Sequence, residues 1–190
     1  MSKLTEAIQK HGYHEILEKV LITEEQLQTR VAELGAQISQ DYAGKDPLLI
    51  SILRGGVVFM VDLMRQMSVP HHIEFMAVSS YGVGARSSRG MPRITLDLNT
   101  DVQGRHVILV EDIIDSGHTI DHVLKLLQTR NPASLKVCAL LDKPTRREAY
   151  VPIGYLGFEI PNEFVFGYGL DLDEYYRNLN FIGVVKKEYQ

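Results

Sequence analysis

Hydrophobic residues in the first part of the chain recur at the spacing of an amphipathic helix. Thr23 and Gln26 can form a capping box ahead of them, since each side chain can accept from the other's backbone N–H. The residues that set the period would share one helical face: Leu27, Val31, Leu34 and Ile38. We therefore predict that the first 40 residues are helical and that residues 44–47, Gly-Lys-Asp-Pro, break the chain.

Short apolar runs then alternate with helical patterns. Residues Leu48–Leu53, 107–110 and 135–141 have the composition of strands that are buried on both faces, and residues 72–80 indicate a further strand. Apolar residues at helical spacing follow Gly56 and again precede Asn131-Pro132. This alternation predicts an α/β fold in which helices flank a parallel sheet.

The last part of the chain has a different pattern. Residues 150–190 lack a long helical period and contain strand-like pieces at 164–166 and Ile182–Val185. We predict a single domain over residues 1–190 with a core at about 40–150. A small lobe, here called the hood, should form from the N-terminal segment and about residues 151–190, over the carboxyl ends of the core strands, where open α/β sheets bind ligands.

Composition narrows the classes of function. The net charge is −4 and the pI about 6.0, and there is no long basic run, which argues against general nucleic-acid or membrane-surface binding. Cys138 is the only cysteine, so no intrachain disulfide can form. No apolar stretch approaches the roughly 18 residues that span a bilayer, and the first residues lack the apolar region of a signal peptide. We expect a cytoplasmic protein without membrane or nucleic-acid partners.

The strongest chemical signal lies in residues 107–119, VILVEDIIDSGHT. A buried strand should place the carboxylates of Glu111 and Asp112 at its carboxyl end, and Asp115 follows three residues later. A small hydroxyl-rich turn then opens a helix, whose N–H groups and dipole favour phosphate. Each residue alone is more often a helix cap or a solvated charge, but together they predict a site for a phosphorylated sugar.

This segment resembles the phosphoribosyl pyrophosphate (PRPP) motif of type I phosphoribosyltransferases. The resemblance implies the fold of that family, and it implies that Glu111 and Asp112 contact the ribose hydroxyls. It also implies that Asp115 lies near N7 of a purine base and acts in proton transfer. The residues expected to wrap the 5′-phosphate are Asp115, Ser116, Gly117, His118 and Thr119.

Residues 53–56, Leu-Arg-Gly-Gly, look like the pyrophosphate loop of the hypoxanthine-guanine branch of this family. By that resemblance Arg54 and Gly55 bind pyrophosphate, a cis peptide bond precedes Arg54, and Arg177 contacts the same group. Ser80 and Tyr81 resemble the start of the mobile loop that closes over the active site. The alternative for residues 53–56 is an ordinary strand-to-helix turn. The alternative for the segment that begins at Ser80 is a plain surface loop.

Residues 140–147 and 157–171 resemble the purine-binding segments of the same branch. The resemblance implies that Lys143 donates to O6 of the purine, which favours oxo over amino bases, because an exocyclic NH₂ would set a donor against a donor. It implies that Phe164 stacks on the base, that the Val165 backbone meets the base edge, and that Asp171 belongs to the same site. Apart from the resemblance, Lys143 would be a surface lysine and Phe164 a core aromatic.

The resemblance therefore predicts a Mg²⁺-dependent enzyme of purine salvage. It would transfer phosphoribosyl from PRPP to N9 of hypoxanthine or guanine, giving IMP or GMP and pyrophosphate, with Glu111, Asp112 and Asp171 as the metal contacts. A homodimer or homotetramer is expected. Two alternatives stay open: a xanthine-preferring phosphoribosyltransferase, and a PRPP-sensing regulatory protein that binds RNA, which the lack of basic clusters disfavours.

Overall fold

Two β-sheets organise the structure, a computed structural model that describes Leu4 and residues 12–79 and 93–190. The described strands are β1 Leu17–Ile22, β2 Leu48–Leu53, β3 His72–Ser79, β4 Arg93–Leu96, β5 His106–Ile114, β6 Ser134–Asp142, β7 Ile153–Glu159, β8 Val165–Phe166 and β9 Ile182–Val185. The described helices are α1 Tyr13–Ile16, α2 Glu24–Asp41, α3 Val57–Gln66 and α4 His118–Thr129.

The larger sheet has the strand order β4-β3-β2-β5-β6-β7. The neighbouring pairs from β3 to β7 are all parallel, and β4 pairs antiparallel with β3. The predicted α/β fold with a mainly parallel sheet is therefore confirmed. The parallel strands end at one edge of the sheet, and the residues that follow them meet there.

Helices cover both faces of the larger sheet. Leu49 of β2 packs in a core cluster with residues of α2 and α3, whereas its neighbours Leu48 and Ile50 pack in a second cluster with residues of α4. Successive side chains of a strand point to opposite faces, so a strand between two helical layers is apolar at most of its positions on both faces. This explains why five of the six residues of Leu48–Leu53 are apolar, and the exception, Ser51, is fully buried.

The start of α2 confirms the predicted capping box. The Gln26 N–H donates to Thr23 Oγ1 at 3.3 Å, and the Thr23 N–H donates to Gln26 Oε1 at 2.9 Å. Two N–H groups that would lack a partner at a helix start are thereby satisfied.

The smaller sheet joins the two ends of the described chain. Its order is β1-β9-β8, and both of its strand pairs are antiparallel. Ile22 and Ile182 from this sheet belong to the same core cluster as α2 and α3, so the smaller sheet shares a core with the larger one. Within residues 12–79 and 93–190, no helix is long and apolar enough to cross a membrane.

Three elements differ from the sequence-based expectation. Residues 17–22 form strand β1, so the prediction of a helix throughout the first 40 residues is wrong there. The sequence pattern did not predict β4 or β7. Strand β7 lies in the larger sheet beside β6, although the residues after 150 were assigned to the hood. Gly154 and Gly157 weaken the strand pattern of β7, because glycine contributes no side chain to a sheet.

Candidate active site

Glu111 and Asp112 lie near the carboxyl end of β5, as predicted, but the strand continues to Ile114 and not only to Val110. Asp112 is 7% exposed and accepts a hydrogen bond from the Ile113 N–H at 2.8 Å. The Oε2 atom of Glu111 is buried and has no hydrogen-bond partner among the described residues. Burial raises the pKa of both carboxyls, and the adjacent Asp112 charge raises the pKa of Glu111 further.

This acidic pair can accept hydrogen bonds or bind a cation. A buried acceptor that lacks a donor costs about 1–3 kcal/mol, so a ligand hydroxyl or a cation at Glu111 would be stabilising. Mg²⁺ prefers carboxylate oxygens but keeps several waters or ligand oxygens in its shell, and the pair fits that chemistry. Within the part of the chain that the structure describes, no three His, Cys, Asp or Glu side chains are grouped so that they could hold a metal, and the metal contact of Asp171 stays a prediction.

The turn between β5 and α4 borders a cavity of about 250 Å³. Gly117 precedes α4 with a φ of 88°, a left-handed conformation that favours glycine. The first N–H groups of α4 have no partner within the helix, and the helix dipole favours an anion beside them. The cavity brings together several residues that the sequence indicates, Glu111, Asp115, Ser116, Gly117 and Thr119.

His118 takes a different position from these residues. Its ring is exposed, and Nε2 lies 2.9 Å from Oε2 of Glu148. The group of His118 that can contact an anion at the start of α4 is therefore its backbone N–H.

The segment after β6 packs behind the turn. The Ser116 carbonyl accepts hydrogen bonds from the N–H groups of Glu148 and Ala149 at 2.9 and 3.0 Å. Arg147 forms an ion pair with Asp142 and lies against Gly117. These contacts fix the turn before any ligand arrives, and a fixed donor array binds charge without reorganisation.

Asp115 faces two cations. Its Oδ2 lies 3.6 Å from Nζ of Lys143, and its Oδ1 accepts a hydrogen bond from Nε of Arg146 at 3.1 Å. Lys143 is only 6% exposed, so it is not a solvated surface lysine. Its N–H donates to the Ile114 carbonyl at 3.0 Å, which ties the end of β6 to the end of β5.

The loop after β2 reaches the acidic pair. The peptide bond between Leu53 and Arg54 is cis, as the sequence analysis expects. Gly55 lies so close to Asp112 that a Cβ atom on Gly55 would overlap the carboxylate. Since β2 and β5 are parallel neighbours, their following residues meet at one edge of the sheet.

The segment between β8 and β9 adds a second arginine to this edge. Arg177 Nη2 lies 2.8 Å from Asp171 Oδ1, and Arg177 Nη1 donates to the Gly169 carbonyl at 2.8 Å. Arg54 Nη1 lies 2.5 Å from Oε2 of Glu174, and the same oxygen lies 3.4 Å from Arg177 Nη2. The two arginines that the sequence assigns to one ligand group therefore meet at a carboxylate.

Phe164 and Val165 lie apart from the cavity beside β5. Phe164 is 48% exposed and so is not the core aromatic that its residue type alone would suggest, whereas Val165 is buried. The Phe164 carbonyl accepts from the Val185 N–H at 2.8 Å. Ser80 and Tyr81 lie outside the described residues, so their role stays a prediction.

Three residues of this region were not identified from the sequence: Arg146, Arg147 and Glu174. The sequence indicates them only by proximity to predicted site residues. The two arginines follow Lys143 by three and four positions, and Glu174 lies between Asp171 and Arg177. Charged residues in loops are usually solvated, and only the fold reveals their partners.

The chain resembles known proteins over almost all of its length. The model of the phosphoribosyl transferase domain matches residues 22–173. The hypoxanthine-guanine phosphoribosyltransferase of Mycobacterium avium is 50% identical over 190 residues, which cover 97% of this chain and 93% of that protein. The hypoxanthine phosphoribosyltransferase of Escherichia coli (strain K12) is 48% identical over 169 residues, which cover 88% and 94%. The crystal structure of a hypoxanthine phosphoribosyltransferase from Staphylococcus aureus superposes with a TM-score of 0.89 at 44% identity, covering 94% of this chain and 97% of that one.

Proposed function

The chain belongs to the phosphoribosyl transferase domain family, and on that basis we propose that it transfers phosphoribosyl from PRPP to N9 of hypoxanthine or guanine. The products are IMP or GMP and pyrophosphate, and the reaction serves purine salvage. The observation that carries the proposal is the cavity at the end of β5, where the partly buried Glu111, next to the buried Asp112, adjoins the anion-binding turn of α4.

The phosphoribosyl group suits this cavity. The 5′-phosphate binds at the turn, where Ser116 and Thr119 provide hydroxyl donors beside the backbone of Gly117. The ribose hydroxyls donate to Glu111 and Asp112, which gives the unpartnered Glu111 oxygen a donor. Arg54, Gly55 and Arg177 bind the pyrophosphate group.

The base lies on the other side of the sugar. Lys143 donates to O6, and its low exposure supports a fixed direction for that donor. Phe164 stacks on the ring, the Val165 backbone meets the base edge, and Asp171 completes the site. A base held in this way keeps N9 in line with C1 of the sugar. The entropy of orienting the two reactants is then lost on binding and does not add to the barrier of the chemical step.

The Glu111–Asp112 pair, with Asp171 acting through water, would hold Mg²⁺, which would supply positive charge that stabilises the leaving pyrophosphate. N9 forms a bond to C1 as the bond from C1 to the pyrophosphate oxygen breaks, with inversion at C1. The base reacts with its imidazole proton on N7, so N9 carries the free lone pair that attacks, and the N7 proton passes to the Asp115 carboxylate as the bond to C1 forms. Lys143 and Arg146, on either side of Asp115, hold its carboxylate at this position.

The proposal is tested by ultraviolet-monitored nucleotide formation from hypoxanthine, guanine, xanthine and adenine, each with PRPP, with and without Mg²⁺. We expect Mg²⁺-dependent turnover of hypoxanthine or guanine and none of adenine. Turnover of xanthine alone would favour the xanthine-preferring alternative. No turnover with any base, in protein that melts cooperatively, would contradict the proposed activity. The homodimer or homotetramer and the cytoplasmic location stay predictions.

A further inference from the structure

A carboxylate lies between the two arginines that the proposed function assigns to pyrophosphate. Oε2 of Glu174 is 2.5 Å from Nη1 of Arg54 and 3.4 Å from Nη2 of Arg177. The arginines come from distant parts of the chain, since Arg54 follows β2 and Arg177 precedes β9. Glu174 is the residue that connects them.

The backbone around Glu174 is held in an unusual conformation. Asp173, Glu174 and Tyr176 have φ values of 53°, 70° and 67°. Residues other than glycine rarely adopt this left-handed backbone conformation, which costs roughly 1–2 kcal/mol per residue. The Glu174 N–H donates to Asp171 Oδ2 at 2.9 Å. A strained segment that is tied down at Asp171 presents the Glu174 carboxylate toward the guanidinium groups, and such strain is concentrated at functional sites.

The chemistry of Glu174 matches that of the group it faces. Guanidinium donors recognise carboxylate and phosphate oxygens with the same fork of N–H groups. Arg177 is also held by Asp171 and by the Gly169 carbonyl, so its position does not depend on Glu174. A pyrophosphate oxygen that takes the N–H groups facing Glu174 therefore displaces Glu174, whereas the shorter contact between Asp171 and Arg177 can remain.

We propose that Glu174 competes with pyrophosphate for Arg54 and Arg177, and thereby weakens PRPP binding and promotes release of the pyrophosphate product. The proposal rests on the proposed function of this site. Glu174 acts through the two arginines, so it is a positioning residue and not a catalytic one. The side chains of Arg54 and Glu174 are 70% and 61% exposed, so their interaction is screened by water and the competition is modest.

The first test is the variant Glu174→Gln, which keeps the shape of the side chain but removes its charge. We expect the KM for PRPP and the dissociation constant of magnesium pyrophosphate, measured by calorimetry, each to fall by about two- to fivefold. The KM for hypoxanthine should not change, because the base lies elsewhere in the site. The kcat should stay constant or fall, since tighter pyrophosphate leaves more slowly.

Two controls separate competition from a general charge effect. Glu33→Gln removes a carboxylate that pairs with Arg30 at 2.6 Å in α2, and it should leave both constants unchanged. Arg54→Gln removes one of the contested donors. If Glu174 acts through Arg54, Glu174→Gln should change pyrophosphate affinity less in the Arg54→Gln background than in the wild type.

The outcomes distinguish this proposal from the proposed function. Unchanged or weaker pyrophosphate binding in Glu174→Gln, with a melting temperature equal to that of the wild type, overturns the competition. A shift of the same size in Glu33→Gln overturns it as well. Absence of turnover in the wild type contradicts the enzyme activity instead, and calorimetry with pyrophosphate still decides the role of Glu174. If Glu174→Gln has a lower melting temperature than the wild type, Glu174→Ala provides the same test without an amide that could form new contacts.

Discussion

Glu111 illustrates how a functional residue can reduce stability. Its Oε2 is buried without a partner among the described residues, and burial beside Asp112 raises its pKa well above the ordinary value of 4.5. We predict that Glu111→Gln raises the free energy of unfolding at pH 7 by about 1–3 kcal/mol, since the amide removes a buried charge. The same variant should raise the KM for PRPP, because the amide is a weaker acceptor for a ribose hydroxyl.

The pH dependence of this gain has a definite sign. When folding raises the pKa of a carboxyl, the free energy of unfolding of the protein falls as the pH rises from the pKa in the unfolded state through the pKa in the folded state. The difference between Glu111→Gln and the wild type should therefore be small near pH 4.5 and grow toward neutral pH. Urea unfolding at several pH values measures it, with Glu18→Gln on an exposed part of β1 as the control. A difference that shrinks with rising pH would contradict the burial argument.

The Asp115 carboxylate, to which we assign the proposed proton transfer, is held by Lys143 and Arg146 and not by burial. We predict that Asp115→Asn lowers kcat by about 100-fold or more, because the amide cannot accept the N7 proton. The KM for PRPP should change little, since the turn keeps its N–H donors. Steady-state kinetics decide this, and Asp101→Asn, in an exposed turn before β5, is the matched control. Full kcat in Asp115→Asn would remove the proton-transfer role.

At the scale of elements, the start of α2 provides a stability test that is separate from the active site. Thr23→Ala removes the acceptor for the Gln26 N–H, and we predict a loss of about 1 kcal/mol in the free energy of unfolding. Enzyme activity at 25 °C should be unchanged. Chemical denaturation measures this loss. The variant Thr29→Ala, at an exposed position within the same helix, is the control for the effect of replacing threonine by alanine. Equal effects of the two variants would show that the cap contributes nothing.

The sequence predicts those elements that have a strong local signal. Strand β2 is apolar at every position except Ser51 because both of its faces are covered, and α2 has both a helical period and a cap. Strand β1 has no such local signal, since its buried and exposed positions do not alternate cleanly. Its hydrogen bonds are formed with β9, which lies more than 150 residues away in the sequence. Strand β7 is likewise stabilised by β6 and not by its own composition. Such pairings depend on the whole fold, which a local pattern cannot reveal.

At the scale of the whole molecule, the site is assembled from residues that the sequence could name but not connect. Asp115 and Lys143 were both identified, but their proximity follows from the parallel pairing of β5 and β6. Arg54 and Arg177 were assigned to one ligand group, and the fold brings them to Glu174, which has no distinguishing signal in the sequence. Motifs therefore indicate chemistry, whereas the contacts among charged residues require the three-dimensional structure.

The order of metal and substrate binding follows from the acidic groups of the whole site. The proposed Glu111–Asp112 pair offers two carboxylates, and Mg²⁺ fills the rest of its shell with other oxygens, so we expect it to bind well only together with oxygens of PRPP or pyrophosphate. We predict that Mg²⁺ alone barely changes the melting temperature. PRPP with Mg²⁺ at about 100 times the dissociation constant should add about 2.7 kcal/mol, or roughly 5–10 °C for a chain of this size. PRPP with EDTA is the control, and it should give a much smaller shift. A full shift with Mg²⁺ alone would mean that the protein has an independent metal site, which would overturn this account of the acidic pair.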